Sequence, residues 1–495
     1  MSILSPDFLV FVAALALVYY ALNLRCRKWA LLAGSAVFWY ISGVWGTVYL
    51  LAETGVIWGA ACLIGARREA GKGFRTLLSA ALILVLTGLF LFKDQLLGAV
   101  TAALSLVTPL GISYFTFQSM AYLIDVSRGK AAAERNYLKV LLFCGFFPQL
   151  SQGPIGVWKD LQPQLDMPHR FEPQLFDEAV FLMAWGFFKK LVIADRIAPF
   201  VREAVAQSAT IPGWLALLAV AAYTLELYAD FSGGIDIVRG AAELFGIRLS
   251  ENFRQPFFAV SVADYWRRWH ISLGAWFRSY VLYPLATSRI SVKIGKAGRA
   301  LLGGKAGSGL PGALSAFAVF VLIGLWHAFQ WNALFYGVWF GLLSLLAVLL
   351  EPAFKGWKKK LRITGRTRWF RVWGLVRTWM AVLFAQFFAC TASPKQAFEL
   401  MGRITAHFSW RSVGNMSTVP GMTFDPAECI VTVAALLVLL VIDLLCEHRK
   451  NFLAQVSASR LYIRWPVLML LMLAVLVFGK YGVGSDASAF VYAGF

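Results

Sequence analysis

Apolar segments long enough to cross a lipid bilayer recur along the whole chain. Of its 495 residues, 59% are hydrophobic and only 15% are charged, well below the roughly 25% of charged residues in typical soluble domains. A bilayer-spanning helix needs about 17 to 25 mostly apolar residues. Candidate segments begin near residues 8, 29, 46, 76, 97, 137, 176, 211, 313, 332, 372, 429 and 464. Because some should be re-entrant or interfacial, the sequence predicts an all-α polytopic membrane protein with about 11 to 13 crossings.

Basic residues cluster in the short loops between these segments and account for much of the net charge of +20. Loops rich in lysine and arginine mark the cytoplasmic side of a membrane protein. The first such loop, with Arg25, Arg27 and Lys28, follows the first apolar segment. The sequence therefore predicts a multi-pass protein with both termini extracytoplasmic. Contact with anionic lipid explains the charge, and we expect no nucleic-acid partner.

The middle third of the chain, residues 109–343, differs in composition from both ends. It mixes apolar runs with Gly, Pro, Asn, Gln, Asp, Arg and Trp, which is typical of short, broken or interfacial helices. Irregular backbone at membrane depth persists only where protein or a water-filled cavity satisfies its polar groups. We therefore expect one integral membrane domain, residues 1–495, whose core region 109–343 lines a cavity. Residues 391–428 form the longest predicted extracytoplasmic loop, a candidate docking surface or lid.

Two of the five histidines are flanked by tryptophan and by apolar sequence. His327 follows Trp326 at the end of an apolar run that starts at Phe317, and His270 follows Trp269. An imidazole at membrane depth is costly to bury and usually functional. Counted along a helix from the preceding basic loop, His327 lies past the bilayer midplane. Both histidines indicate a buried polar centre; the alternatives are a structural histidine that caps a carbonyl at 327 and a satisfied hydrogen-bonded residue at 270.

Other polar side chains in the middle third are candidates to support such a centre. Asp230 lies four residues after Glu226, so the two would share a helix face. Asp230 fits two roles equally well. It could relay protons or orient a histidine, or it could form a structural ion pair with an arginine. Gln118 and Gln149 lie in or beside apolar runs, where such side chains more often join helices than perform chemistry. The candidate arginine partners of Asp230 are Arg239, Arg254 and Arg267.

Arginine, tryptophan and tyrosine recur at roughly helical spacing between residues 252 and 280. This pattern predicts an amphipathic helix at the membrane surface whose cations reach phosphate groups or backbone carbonyls. The alternative is that the arginines only anchor the helix among lipid headgroups. The candidate anion-binding residues in this pattern are Arg267, Arg268 and Arg278. The six cysteines lack metal-ligand spacing, so we expect no metal site.

Taken in order, several segments resemble the signatures of the membrane-bound O-acyltransferase family, in the bacterial branch that includes alginate O-acetylation and lipoteichoic-acid D-alanylation proteins. The resemblance covers about half of the chain. It is carried by PLGISYFTFQ (109–118), FFPQL with GPI (146–150 and 153–155), YADFSG (228–233), residues 265–283 and GLWH (324–327). The chain departs from the branch at Ser279, where aspartate is usual, and at Ala328, where glycine often follows the histidine.

The resemblance implies a ring of tilted helices around a central funnel, with both histidines near its narrowest point. It also implies transfer of an acyl group, usually acetyl from cytoplasmic acetyl-CoA, to a hydroxyl outside the bacterial inner membrane. His327 matches the catalytic histidine and is expected to act as base, while His270 would orient the donor or stabilise developing charge. Asp230, Gln149, Gln118 and Trp326 are the expected supporting residues.

The resemblance extends to the expected ligands and partners. Arg267, Arg268, Arg278 and Asn252 are the candidates to hold the donor, through its phosphate groups in the case of the arginines. No bound cofactor is expected, because acetyl-CoA is a substrate. An extracytoplasmic transferase or esterase of the SGNH type and a polysaccharide acceptor are the expected partners.

Two other functions fit the same residues. In a proton-coupled transporter or flippase, Glu226, Asp230, His270 and His327 would relay protons while a polar cargo moves. Substrate-dependent proton flux without an acylated product would favour that function. A scaffold that only recruits a soluble acetylase would be indifferent to the loss of either histidine.

Overall fold

The computed structural model describes residues 1–93, 108–364, 367–410, 413, 425–449, 452–481 and 490. Within these residues the regular structure is helical, and the extended pairing is confined to one isolated antiparallel bridge between Phe253 and Trp269. The predicted all-α class is confirmed.

The first helices alternate between long apolar rods and short segments. Their bounds are α1 Pro6–Ala21, α2 Arg27–Ser42, α3 Val44–Glu69, α4 Arg75–Lys93, α5 Ile112–Arg128, α6 Tyr137–Gly145, α7 Phe147–Gln152, α8 Trp158–Asp166, α9 Pro173–Phe187, α10 Asp195–Ala206 and α11 Gly213–Glu243. A π-helix, Phe188–Ala194, joins α9 to α10.

The later helices include two very short ones that flank a second π-helix, Arg278–Leu282. Their bounds are α12 Val262–Arg268, α13 Ile271–Phe277, α14 Tyr283–Ala286, α15 Arg289–Leu302, α16 Gly304–His327, α17 Trp331–Leu349, α18 Glu351–Lys360, α19 Arg368–Ala389, α20 Pro394–Ala406, α21 Pro426–His448, α22 Phe452–Ser457 and α23 Leu461–Phe478. A 3-10 turn, Pro256–Phe258, precedes α12.

Eight helices within the described ranges are long and apolar enough to cross a membrane. They are α3, α4, α11, α16, α17, α19, α21 and α23. The chain is therefore a multi-pass membrane protein, as predicted. The apolar segment expected near residue 97 lies outside the described residues, and the total of about 11 to 13 crossings stays a prediction, as do the ring and funnel.

Two of the expected spans are interrupted helices. The helix that begins at Tyr137 ends at Gly145 after nine residues, which gives a length of only about 14 Å. Phe146 then leaves the helical conformation, and α7 starts anew with Pro148 in its first turn. The helix that begins at Pro173 changes to a π-helix after Phe187. This part of the chain is the broken-helix region that the mixed composition indicated.

The described chain packs into two compact units. The first comprises Met1–Val192, Asp230–Glu251 and Asn451–Gly494, and the second comprises Ile193–Ala229 and Asn252–Lys450. Helix α11 contributes residues to both. A single integral membrane domain over residues 1–495 stays a prediction.

Aromatic rings form the centre of the first unit. The Phe147 ring lies 5.9 Å from the Phe38 ring and 6.0 Å from the Phe245 ring, measured between centroids. The Trp39 indole donates a 2.7 Å hydrogen bond to the carbonyl of Gly145, where the chain leaves α6. Buried rings of this size contribute both apolar burial and edge-to-face contacts, and they fix the short helices α6 and α7 against α2.

Two adjacent lysines of the first π-helix pair with acidic residues of α11. Lys190 Nζ lies 2.6 Å from Asp230 Oδ1, and both side chains are 1% exposed or less. Lys189 Nζ lies 2.7 Å from Asp236 Oδ2. Both lysines lie in the π-helix, whose turns are wider than those of an α-helix, and both ammonium groups reach α11. Asp230 thus pairs with Lys190, whereas the sequence had suggested an arginine partner.

Close backbone packing joins α16 and α17 in the second unit. A side chain at Gly324 would collide with the Ala333 carbonyl, and one at Gly337 would collide with the Phe320 carbonyl. Small residues of this kind let membrane helices approach closely. The Trp266 ring of α12 lies 5.2 Å from the Phe320 ring of α16. The helix that ends at His327 is therefore packed on both α17 and α12.

The predicted loop 391–428 contains a packed helix. Helix α20 buries Ala397 and Leu400 in a cluster with Leu215 and Phe388, and Arg403 donates a 2.7 Å hydrogen bond to the Ile211 carbonyl. Residues 411–412 and 414–424 lie outside the described residues. The function of this stretch as a docking surface or lid stays a prediction.

Loss of one partner of the Lys190–Asp230 pair should destabilise the protein strongly. Lys190→Met or Asp230→Leu alone should lower the free energy of unfolding by about 3 to 5 kcal/mol, because each removes the oppositely charged group that lies 2.6 Å from the remaining buried charge. The double variant should recover much of this loss, since both charges are gone. Thermal unfolding in detergent micelles would measure the three variants.

The control is Lys355→Met in the second unit. Lys355 and Glu351 also lie 2.6 Å apart, but their side chains are 71% and 56% exposed, so the expected change is below about 1 kcal/mol. Single variants at 190 and 230 that unfold like the control would contradict a buried pair.

Candidate active site

His270 lies at the start of α13 with a left-handed backbone, φ 45° and ψ 55°. Few residues other than glycine adopt this conformation, although histidine does so more often than most. Such backbone strain persists only where the surroundings hold it and is concentrated at functional sites. The conformation turns the chain between α12 and α13 and leaves the His270 side chain 1% exposed.

Antiparallel pairing holds the backbone on both sides of His270. The Arg254 N–H donates to the Arg268 carbonyl at 2.9 Å, and the Ile271 N–H donates to the Asn252 carbonyl at 3.0 Å. The Ser272 N–H donates to the Asn252 side-chain Oδ1 at 2.8 Å. Residues 252–254 therefore act as a short strand against residues 268–272.

Burial makes His270 a neutral group. Removal of the imidazole from water lowers its pKa from 6.5 to about 3, because burial disfavours the charged form. A neutral imidazole offers one N–H donor and one nitrogen acceptor. His270 is thus suited to hydrogen bonding with a reacting group, and not to supplying a positive charge.

The Trp326 indole contacts both histidine rings. Its centroid lies 6.3 Å from that of His270 and 4.6 Å from that of His327. Trp326 is buried, whereas His327, the last residue of α16, is half-buried. The structure therefore brings together both predicted histidines and the predicted supporting tryptophan within the second unit. His327 is the more accessible of the two imidazoles to a reactant.

The three candidate arginines differ in their ion pairs and in their exposure to solvent. Arg268 makes a two-pronged contact with Glu447, at 2.6 and 3.1 Å, and its side chain is 11% exposed. Arg267 is 62% exposed and lies 3.3 Å from Asp264. Arg278, at the start of the second π-helix, is exposed. Arg267 and Arg278 are therefore the better placed to meet an anionic ligand.

The remaining predicted residues lie in the first unit. Gln118 donates to the Phe143 carbonyl at 2.9 Å and accepts from the Gly156 N–H at 3.2 Å. Gln149 donates to the Pro154 carbonyl at 2.8 Å. Both glutamines join helices to the loop at 153–156, the more common role for such groups. The supporting catalytic roles of Gln118, Gln149 and Asp230 stay predictions.

Sequence reasoning missed Lys189 and Lys190. Their signal was available, since two adjacent cations interrupt the apolar run FLMAWGFFKKLVIA, and charged residues in such runs usually face protein and pair. Among the described residues, no group of three or more His, Cys, Asp or Glu side chains is arranged to hold a metal ion.

The fold and this site define a polytopic helical membrane protein in which one tryptophan ring contacts two histidine rings. Residues 70–296 match the model of MBOAT, the membrane-bound O-acyltransferase family. That range includes His270 and ends before His327. The chain belongs to this family, as the sequence signatures predicted.

Relatives from several bacteria share this similarity. A probable alginate O-acetylase of Azotobacter vinelandii is 32% identical over 344 residues, 66% of this chain and 64% of that protein. A peptidoglycan O-acetyltransferase of Helicobacter pylori is 29% identical over 53% of this chain and 50% of that protein. A teichoic acid D-alanyltransferase of Bacillus subtilis is 26% identical over 57% of this chain and 68% of that protein. The chain spans slightly less than two thirds of the length of the alginate O-acetylase.

The low pKa of His270 predicts a specific acid sensitivity. Between pH 6.5 and about 3 the unfolded chain binds a proton at this residue that the folded chain excludes, so stability falls as pH falls. Relative to His270→Gln, the wild type should lose about 1.4 kcal/mol of stability per pH unit below 6.5. Thermal unfolding in detergent at pH 7.5, 6.0 and 5.0 would measure this difference.

His448→Gln is the control, because His448 is exposed. Its stability relative to wild type should change little over the same range. A difference between wild type and His270→Gln that is independent of pH would mean that His270 is not buried as a neutral group.

Proposed function

We propose that this chain is an O-acyltransferase that moves an acyl group, acetyl in the first instance, from cytoplasmic acetyl-CoA to an extracytoplasmic hydroxyl. The observation that carries the proposal is the contact of Trp326 with both His270 and His327, in a chain of the membrane-bound O-acyltransferase family. The relatives are named for the transfer of acetyl or D-alanyl groups, which are both acyl groups.

His327 serves as the general base in this proposal. Its imidazole removes the proton of the acceptor hydroxyl as the oxygen attacks the thioester carbonyl carbon. The carbon–sulfur bond then breaks, and the proton passes from His327 to the leaving sulfur. The products are an ester and free CoA thiol, so no other reactant is needed. His327 is half-buried, whereas His270 is buried, so His327 is the more accessible of the two imidazoles to the substrates.

His270 serves as a neutral hydrogen-bond donor. The attack on the thioester places negative charge on the carbonyl oxygen, and a preorganised N–H in a dry site stabilises such charge strongly. Its backbone is fixed by the pairing of residues 252–254 with residues 268–272. A fixed donor loses little freedom when the reaction occurs, which favours this function over that of a mobile proton carrier.

The exposed arginines are the proposed donor contacts. Guanidinium groups bind phosphate through paired hydrogen bonds, and CoA carries several phosphates. Arg267 and Arg278 have exposed side chains available for this. Arg268, held by Asp264 and Glu447, would act mainly by holding α12 in place.

The acceptor is proposed to be a cell-envelope polysaccharide, reached directly or through an extracytoplasmic SGNH-type partner. Two of the relatives are named for alginate and peptidoglycan, which both carry sugar hydroxyls. We also propose that the protein lies in the bacterial inner membrane with both termini outside. Either route leaves the chemistry at His327 the same, because a sugar and a serine both present a hydroxyl.

Transfer of radiolabelled acetyl from acetyl-CoA tests the proposal. Membranes that contain wild type, His327→Ala or His327→Gln would be supplied with polysaccharide and the partner protein. Loss of the general base should lower transfer by about 100- to 10,000-fold. His407→Ala is the matched control, because His407 lies in the same unit and is exposed, and it should keep wild-type transfer.

Equal transfer by wild type and folded His327→Ala would contradict the function of His327 as base. Substrate-dependent proton flux without an acylated product would instead support a transporter. Transfer that depends on the presence of the chain but on neither histidine would support a scaffold.

A further inference from the structure

Asn252 caps a helix from a distance along the chain. Its side chain is fully buried, and its Oδ1 accepts the Ser272 N–H at 2.8 Å from twenty residues away. Its carbonyl accepts the Ile271 N–H at 3.0 Å. Ile271 and Ser272 are the first two residues of α13, and their N–H groups have no partner within the helix itself.

Helix α13 lacks the usual local cap. The residue before it is His270, which makes no side-chain capping bond and has left-handed backbone angles, whereas a typical capping residue has an extended backbone and a short side chain. The capping oxygen therefore has to come from elsewhere. Asn252 supplies it without using the imidazole, which leaves the His270 ring for other contacts.

The cap fixes the peptide groups next to His270. On one side, Trp269 pairs with Phe253 in the antiparallel bridge. On the other side, the Ile271 N–H is held by the Asn252 carbonyl. With both neighbours held, the left-handed conformation of His270 has little freedom to relax, and its ring stays at the Trp326 indole.

We propose that Asn252 is the positioning residue for His270: by capping α13 it holds the imidazole buried and in register with Trp326. Asn252 acts through His270 and touches no substrate. This assigns it a different role from donor binding, which its position beside the arginines had suggested. The structural part of the inference is independent of acyl transfer, whereas its kinetic part rests on the proposed function.

Histidine labelling tests the structural part. Diethyl pyrocarbonate would be applied to the full chain in detergent, and the modification of all five histidines would be mapped by mass spectrometry. In wild type His270 should be protected. In Asn252→Ala its labelling rate should rise about tenfold, in keeping with the loss of a helix cap, while the rates at His407 and His448, which are exposed, stay unchanged.

Asn252→Asp separates the cap from the rest of the side chain. It keeps an accepting oxygen and replaces the NH2 group with a second oxygen that carries negative charge, which the N-terminus of α13 favours and burial disfavours, so His270 should be better protected than in Asn252→Ala. Asn252→Ser, with a shorter acceptor, should give an intermediate rate and serves if the alanine variant does not accumulate. Ser288→Ala is the matched control: it removes the cap of α15, where the Ser291 N–H donates to the Ser288 Oγ at 3.2 Å, and it should leave His270 protected.

Kinetics test the consequence for catalysis. Asn252→Ala should lower kcat about tenfold with little change in KM for the acyl donor, and it should cause no further loss in a His270→Gln background, because residues that act as a unit are not additive. A donor-binding role would instead raise KM and add to the loss at His270.

The outcomes separate this inference from the proposed function. Wild-type protection of His270 in folded Asn252→Ala or Asn252→Ser would overturn the inference. Increased labelling in Asn252→Ala with no acyl transfer by wild type would support the positioning of His270 and contradict the proposed function.

Discussion

Backbone polar groups that lack water as a partner are the constraint on which this structure depends. In a bilayer or a buried site, each unpaired N–H or carbonyl is costly, so a short helix such as α13 can begin only where another segment accepts its first N–H groups. Asn252 accepts these N–H groups for α13, and the Arg254 N–H donates to the Arg268 carbonyl at the end of α12. The same hydrogen bonds hold His270 in a left-handed conformation, so the solution of a folding problem also fixes a candidate catalytic group.

Helix packing fixes the position of the second histidine, His327. Gly324 and Gly337 let α16 and α17 meet backbone to backbone, and Trp266 of α12 rests against Phe320 of α16. Trp326 is therefore held by the same helix that ends at His327, and it meets His270 from the neighbouring segment. Because His270 is buried and His327 is half-buried, the two imidazoles are suited to different tasks, a fixed neutral donor and an accessible base.

The sequence predicted the features that depend on local patterns. Hydropathy identified the long membrane helices, and tryptophan next to histidine in apolar runs identified His270 and His327. Contacts between residues that are distant in sequence were harder to predict. Asp230 accepts a hydrogen bond from Lys190, forty residues away, which lies in a π-helix that the hydropathy pattern does not predict. The capping contact of Asn252 is equally hidden, because half of it is made by a backbone carbonyl, which every residue possesses.

The Lys190–Asp230 pair of the first unit and His270 of the second unit are buried in different ways, and this difference bears on the proposed chemistry. In the first unit Lys190 and Asp230 neutralise each other at 2.6 Å, and a proton moved from one to the other would leave two neutral groups that bind each other less strongly. Such a pair favours a fixed structure. In the second unit His270 is buried without charge, and His327 lies where reactants can reach it. In the proposed acyl transfer, His327 takes a proton from a hydroxyl and returns it to the leaving sulfur within one reaction, which assigns that proposed chemistry to the second unit.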